Sequence, residues 1–260
     1  MGDKLAVQMF TLREHTGSAS ELAQSLKRVS DIGYQAVQLS AVKCMGGENP
    51  PVSAKEARRM LDDNGLKCIA THRSLDSLLN NTDAEIEFHK TLSCDYTAIG
   101  GISGDRQTAA GYRDFLKTTA PMIEKLKAAG IRFGHHNHSK EFIKTEEGNW
   151  LEDILIDEGG SDLMLELDLY WVEHAGLNCV RLLERCHDRV PVIHLKDKAV
   201  VPEDGPVMAP IGEGNMDWDH IIPACEEAGV QWYAVEQDVC RRDPFDCLKS
   251  SFEYLSAKGL

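Results

Sequence analysis

The stretch GHHNHSKEF, residues 134–142, places His135, His136 and His138 within four positions and adds Glu141 three residues later. Ten His in the whole chain rarely cluster this way without something to hold. Further along, Asp168, then His194 with Lys196, then Glu236 with Gln237 and Asp238 each close a short apolar run. Imidazoles and carboxylates brought together from separate segments form a mixed nitrogen and oxygen donor set. Such a set suits Mn2+, Zn2+, Fe2+ or Co2+ better than Ca2+. Taken singly, each of these residues has an ordinary alternative, a buried polar group satisfying loop backbone. Their recurrence at the ends of successive segments favours one metal centre.

The segments that must position them recur regularly. β-rich runs occupy 5–10 (LAVQMF), 34–39 (YQAVQL), 66–72 (LKCIATH) and 96–101 (YTAIGG). Four more occupy 131–136 (IRFGHH), 163–168 (LMLELD), 190–196 (VPVIHLK) and 232–237 (WYAVEQ). Starts roughly 28 to 40 residues apart leave room for a strand, a helix and two short loops, the repeat of βα units rather than hairpins. Helix punctuation lies between the runs. Ser18 with Glu21 and Ser53 with Glu56 read as capping boxes, Thr82 with Glu85 opens another helix, and Gly33, Gly65, Gly130 and Gly229 each stand just ahead of a strand. Eight such units predict an α/β fold, a single (β/α)8 TIM barrel over residues 1–260. An open doubly wound sheet is disfavoured, because no G-x-G-x-x-G follows the first strand.

In a barrel of this kind the chemistry gathers at the C-terminal strand ends. In chain order those ends present Gln8, Gln38, His72, Gly100, His136 with Asn137 and His138, Asp168, His194 with Lys196, and Glu236. Strand interiors such as LMLEL and VPVI read as apolar. Because side chains alternate, one of His135 and His136 points into the barrel and the other toward the helices, which makes His135 the weakest of the cluster. His15, His89, His187 and His220 fall in helices or loops and are expected to be exposed or capping.

Composition removes several function classes. A formal charge of −14 opposes a phosphate backbone over most of the surface, so no nucleic-acid partner is expected. No apolar run reaches the ~18 residues of a membrane span, and the first residues lack the pattern of a secretory signal, so cytoplasmic is the default location. The eight Cys are scattered without a CxxC pair and read as reduced packing residues.

With these residues in place, the chain resembles the xylose isomerase-like TIM barrels, the sugar phosphate isomerase/epimerase and AP endonuclease family 2 group that includes inosose dehydratases. The resemblance runs through VQMFTLRE, IGYQAVQLS, GHHNHSKEF, ELDLYWVEHAG, VIHLKDK, IGEGNMDW and YAVEQD, in the family's order. It implies one divalent ion (Mn2+, Zn2+ or Co2+) on Asp168, His194, Glu236 and a residue of the fifth strand. Where many members read Glu-Asn-His there, this chain reads His136-Asn137-His138, so His136 becomes the fourth ligand and Glu141 its substitute if the loop folds back. The implied chemistry is an isomerase, epimerase, dehydratase or lyase acting on a sugar, keto-sugar or cyclitol through an enediolate-type intermediate. The ion would polarise a carbonyl while a base removes the neighbouring proton.

The exchange of Glu for His136 puts a symmetric two-glutamate epimerisation in doubt and leaves proton transfer to Glu236, His138 or Lys196. Lys196 is equally placed to pair with Asp197 or a rim carboxylate. Gln8, His72, Trp171 and Glu213 are the substrate-binding candidates, with Trp171 standing where endonuclease-like members carry a further metal-binding His. An indole cannot ligate a metal but can stack on a sugar ring, which argues against a DNA-repair nuclease. A noncatalytic sugar-binding or partner subunit is the remaining alternative. The GEG at 212–214 is too short to settle whether the substrate carries a phosphate, and oligomeric state is left open.

Overall fold

The computed structural model describes residues 4–102 and 104–260. Each of the eight β-rich runs contains a strand: β1 Leu5–Gln8, β2 Ala36–Leu39, β3 Lys67–His72, β4 Tyr96–Ile99, β5 Arg132–His136, β6 Leu163–Glu166, β7 Val192–Leu195 and β10 Trp232–Val235. The strands pair in parallel in the order β6-β5-β4-β3-β2-β1-β10-β7, with helices around them. The ring closes at the seam between β6 and β7, through Leu165 N–H to Arg189 O (2.7 Å) and His194 N–H to Leu167 O (2.8 Å). A bridge between Asp168 and His194 lies on that seam, so two of the expected ligands sit where the barrel shuts. This is the predicted (β/α)8 fold. It carries one element the strand spacing did not reveal, the antiparallel hairpin β8 Asp197–Val201 and β9 Gly205–Ala209 after the seventh barrel strand.

Alternation along each strand divides the core in two. Outward residues such as Leu163, Leu165, Ile193, Leu195 and Tyr233 join the helices in the main apolar cluster. Inward, the barrel is lined by small residues, Ala6, Ala36, Ala70, Ala98 and Ala234, with Ile69, Tyr96 and Val192. Tyr96 fills space that Gly134 vacates, since a Cβ there would come within 2.0 Å of the Tyr96 hydroxyl oxygen.

The helix starts follow their caps. Ser18 accepts from Glu21 N–H at the head of the helix Ala19–Ile32, and Ser53 with Glu56 forms a complete capping box. At Thr82–Leu92 the helix begins as expected, but Thr82 is already inside it and Glu85 does not cap. Glu85 is buried and takes a two-pronged ion pair from Arg73, Nε to Oε2 at 2.7 Å and Nη2 to Oε1 at 2.8 Å. His89 is likewise buried rather than exposed, its Nε2 2.7 Å from Thr71 Oγ1. All eight Cys are free. No helix among the described residues is long and apolar enough to cross a membrane.

Burial pushes the Glu85 carboxyl up, but Arg73 and Ser77 outweigh it and hold it below the ordinary glutamate value. A depressed carboxylate contributes stability that is present above its unfolded pKa of about 4.3 and fades as pH falls through the folded value. Glu85→Gln should therefore cost about 2 kcal/mol at pH 7, less than a fully buried pair because Arg73 is 30% exposed. In urea titrations the gap between variant and wild type should narrow below about pH 4; a gap that stayed constant with pH would remove the ion pair as its cause.

Candidate metal centre

One step above the alanine layer, the inward position of nearly every strand becomes polar. Gln8, Gln38, His72, His136, Glu166, His194 and Glu236 follow Ala6, Ala36, Ala70, Gly134, Met164, Val192 and Ala234 by two residues, and Gly100 takes that place after Ala98. Continuing the alternation, Asp168 and Lys196 stand another two residues up. The rim is thus built by strand periodicity.

Asp168 is aimed by its neighbours. Its Oδ1 caps the helix Leu169–His174, accepting from Trp171 N–H at 3.2 Å. The amide of Asn137 grips its backbone, Oδ1 accepting from Asp168 N–H (2.9 Å) and Nδ2 donating to Asp168 O (3.3 Å). Oδ2 takes no part in these bonds and faces Lys196 and His194. His194 Nδ1 lies 3.9 Å from that oxygen and 2.9 Å from Glu236 Oε2. The imidazole is oriented from behind, with Nε2 2.7 Å from Gln38 Oε1. If Nε2 carries the proton, Nδ1 presents its lone pair to the carboxylates, the arrangement by which metal-ligating histidines are commonly fixed. Asp168 Oδ2, His194 Nδ1 and Glu236 Oε2 lie within 4.8 Å of one another, and each is buried; the contacts they make are ion-pair contacts with one another and with the Lys196 ammonium. Three buried nitrogen and oxygen donors converging in this way fit a divalent transition ion held by three protein ligands.

Lys196 shares the space. Its ammonium lies 2.8 Å from Asp168 Oδ2 and 2.9 Å from Glu236 Oε2, while its well-directed hydrogen bonds go to Asp238 (2.9 and 3.1 Å). Asp197, the other partner weighed for it, is taken up elsewhere by the 212–218 loop. Burial alone would lower the Lys196 pKa, but Asp168, Glu236 and Asp238 raise it well above the ordinary lysine value, so it is a fixed cation. Burial pushes Glu236 up; Lys196 and His194 more than reverse this and hold it far below the ordinary glutamate value. Asp238 is pushed up to about 6, by burial and by the Glu236 charge. His138 is lowered to about 4 by burial and by Lys196, which leaves it neutral near pH 7.

Trp171 stands beside this group, its ring 5.6 Å from that of His138 and 5.8 Å from Lys196 Nζ, with a buried indole N–H that has no partner among the described residues. The other sequence candidates are dispersed. Gln8 spends its Oε1 capping Phe10 N–H (2.9 Å). Glu213 lies on the surface, paired with Arg242 (2.6 and 2.8 Å) and Ser250. Glu141 is buried beside β5 and accepts from His138 N–H (2.8 Å), apart from the ligand group. His135 turns outward, as alternation required, 3.5 Å from Glu152.

Beneath the first group lies a second. His72, His136 and His194 surround Glu166, with His72 Nε2 in direct contact with Glu166 Oε2, His194 Nε2 at 3.3 Å and His136 Nδ1 at 3.6 Å. His136 reaches the upper group only edge-on, Nε2 3.8 Å from Asp168 Oδ2. His72 therefore packs against a carboxylate rather than facing an open substrate space. Glu166 is the member that reading LMLEL as an apolar interior missed. The signal was present: Glu166 precedes Asp168 by two and so must share its inward face.

The sequence profile of the xylose isomerase-like TIM barrel family matches residues 26–257. Among curated proteins, none matches the chain significantly. Among solved structures, a sugar phosphate isomerase/epimerase from Parabacteroides distasonis ATCC 8503 superposes with a TM-score of 0.83 at 20% identity, covering 99% of this chain and 94% of that one. An L-ribulose 3-epimerase gives 0.74 at 15% identity, over 98% and 93% of the two chains. The IolI protein, whose structure holds a zinc atom, gives 0.70 at 14%, over 98% and 97%. At these identities the likenesses establish the shared fold.

Proposed function

Because the chain belongs to the xylose isomerase-like TIM barrel family, we propose that it is a divalent-metal-dependent enzyme that moves a proton beside the carbonyl of a sugar, keto-sugar or cyclitol. The outcome is isomerisation, epimerisation or elimination of a hydroxyl. The observation that carries this reading is the meeting of Asp168 Oδ2, His194 Nδ1 and Glu236 Oε2 at the barrel seam, three buried donors within 4.8 Å of one another. A divalent ion bound there, Mn2+, Zn2+ or Co2+, supplies Lewis-acid polarisation of the carbonyl.

The remaining work falls to side chains of this chain. Lys196, held as a cation between Asp168 and Glu236, offers a charge-assisted donor to the oxygen on which negative charge develops. His138, neutral near pH 7 and facing Trp171, has a ring nitrogen able to accept the proton from carbon, as a base weaker than an ordinary imidazole because burial and Lys196 lower it to about 4. Glu236 is so strongly stabilised as a carboxylate that it is a weak base while Lys196 remains paired with it. The two proton-handling groups thus differ in kind, which favours a one-directional abstraction over symmetric exchange between two glutamates. Trp171 supplies an apolar wall for the sugar ring and an indole donor for a hydroxyl.

The test is incubation of the protein with ketoses, inososes and 3-keto-glycosides in D2O, followed by NMR. Deuterium should enter the carbon beside the carbonyl of one class, and should cease to enter after treatment with a chelator. Binding of a sugar with no exchange under any metal would instead favour the noncatalytic sugar-binding subunit.

A further inference from the structure

We infer that Glu141 is a positioning residue for His138: it holds the imidazole with its proton on Nδ1, so that Nε2 meets the substrate with a free lone pair. The inference rests on the reading of His138 as the base. Glu141 is fully buried on the short helical turn after β5, outside the ligand group. Its Oε2 accepts from His138 N–H at 2.8 Å, which ties the carboxylate to the backbone of the residue it serves. Its Oε1 is buried with no hydrogen-bond partner among the described residues, and so is His138 Nδ1. His138 as a whole is only half-buried, which leaves Nε2 as the nitrogen on the open side.

Gly101 shows what lies between these two atoms. A Cβ on Gly101 would stand 3.2 Å from Glu141 Oε1, 3.6 Å from His136 O and 3.7 Å from His138 Nδ1. The glycine, at φ +123°, thus leaves a space bordered by three polar atoms, enough partners for one ordered water. Counting donors then fixes the tautomer. A carboxylate and a carbonyl only accept, so a bridging water donates to both, and Nδ1 can join it only as an N–H donor. The carboxylate behind the ring also stabilises the imidazolium that forms as the proton arrives from carbon. Glu141 therefore does its work from outside the barrel interior, through the ring it orients.

The experiment records long-range proton–nitrogen NMR spectra of the Zn2+-loaded protein, isotopically labelled at the histidine ring nitrogens, near pH 7. The signals lost in His138→Asn identify His138. Wild type should carry the His138 proton on Nδ1. Glu141→Gln keeps an acceptor for His138 N–H but turns an amide donor toward the space at Gly101, so the proton should move to Nε2. On a substrate that exchanges deuterium, this variant should lose about 10²-fold or more in kcat with KM little changed, because the ring presents the wrong nitrogen. Circular dichroism establishes that the variant is folded. A wild-type ring protonated on Nε2 overturns the proposal without any variant, and so does a folded Glu141→Gln whose ring keeps its proton on Nδ1. A proton that moves to Nε2 while kcat is unchanged leaves the pairing standing and removes His138 as the base.

Discussion

Asp168→Asn is expected to lose the metal ion and, with it, exchange of the substrate proton with solvent. The loss should exceed the roughly 10–100-fold that follows removal of an outer-shell partner, because a ligand atom itself is changed. The substitution is a clean probe. Asparagine can retain the cap on the helix Leu169–His174, since its Oδ1 can still accept from Trp171 N–H, and the Asn137 clamp acts on backbone atoms. What changes is Oδ2, the oxygen that faces His194 and Lys196. Lys196 keeps Glu236 and Asp238 as counter-charges, so no bare ammonium is left buried. Metal content by elemental analysis and deuterium uptake by NMR should fall together. A variant that kept both at wild-type level would remove Asp168 from the centre.

Asp197→Ala should be the most destabilising single change outside the metal centre. The fully buried Asp197 carboxylate accepts five hydrogen bonds: from the backbone N–H of Lys198 (2.7 Å), Gly212 (2.8 Å), Gly214 (3.1 Å) and Met216 (3.2 Å), and from Trp218 Nε1 (2.8 Å). The GEG motif is thereby explained as a loop wrapped around a carboxylate of this chain. Gly212 adopts φ +88°, and a Cβ on Gly214 would come within 2.2 Å of Asp197 Oδ1. Removing the acceptor strands several buried donors at once, for a cost of about 4 kcal/mol. The expected result is a correspondingly lower urea midpoint, with new proteolytic cleavage within 205–218. Asp197→Asn, which keeps one acceptor oxygen but sets an amide against these donors, should fall between. Equal stability of Asp197→Ala and wild type would mean that the loop satisfies its donors another way.

The sequence by itself determined the barrel and the rim. Eight β-rich runs with helix caps and glycine stops between them can close in few ways, and each run does contain a strand. Asp168, His194, Lys196 and Glu236 were legible because each ends such a run, and strand ends are where this fold gathers polar groups. Alternation along β5 by itself separates His136 from His135. The same rule, carried one step further through LMLELD, would have delivered Glu166, which was passed over because a lone Glu between leucines looks like part of an apolar strand.

Distances around the ring were decided only by the tertiary structure. Gln38, Glu166 and His194 lie on three strands that are remote in sequence, and their contacts depend on the closing of β6 against β7. The choice of Lys196 for Asp238 rather than Asp197, and of Glu213 for Arg242 rather than the rim, rests on competition among partners that are far apart along the chain. Periodicity fixes which face of an element a side chain occupies. Closure of the ring fixes what it meets there, because an ion pair or a ligand contact depends on distances of a few ångströms across the barrel that no single segment encodes.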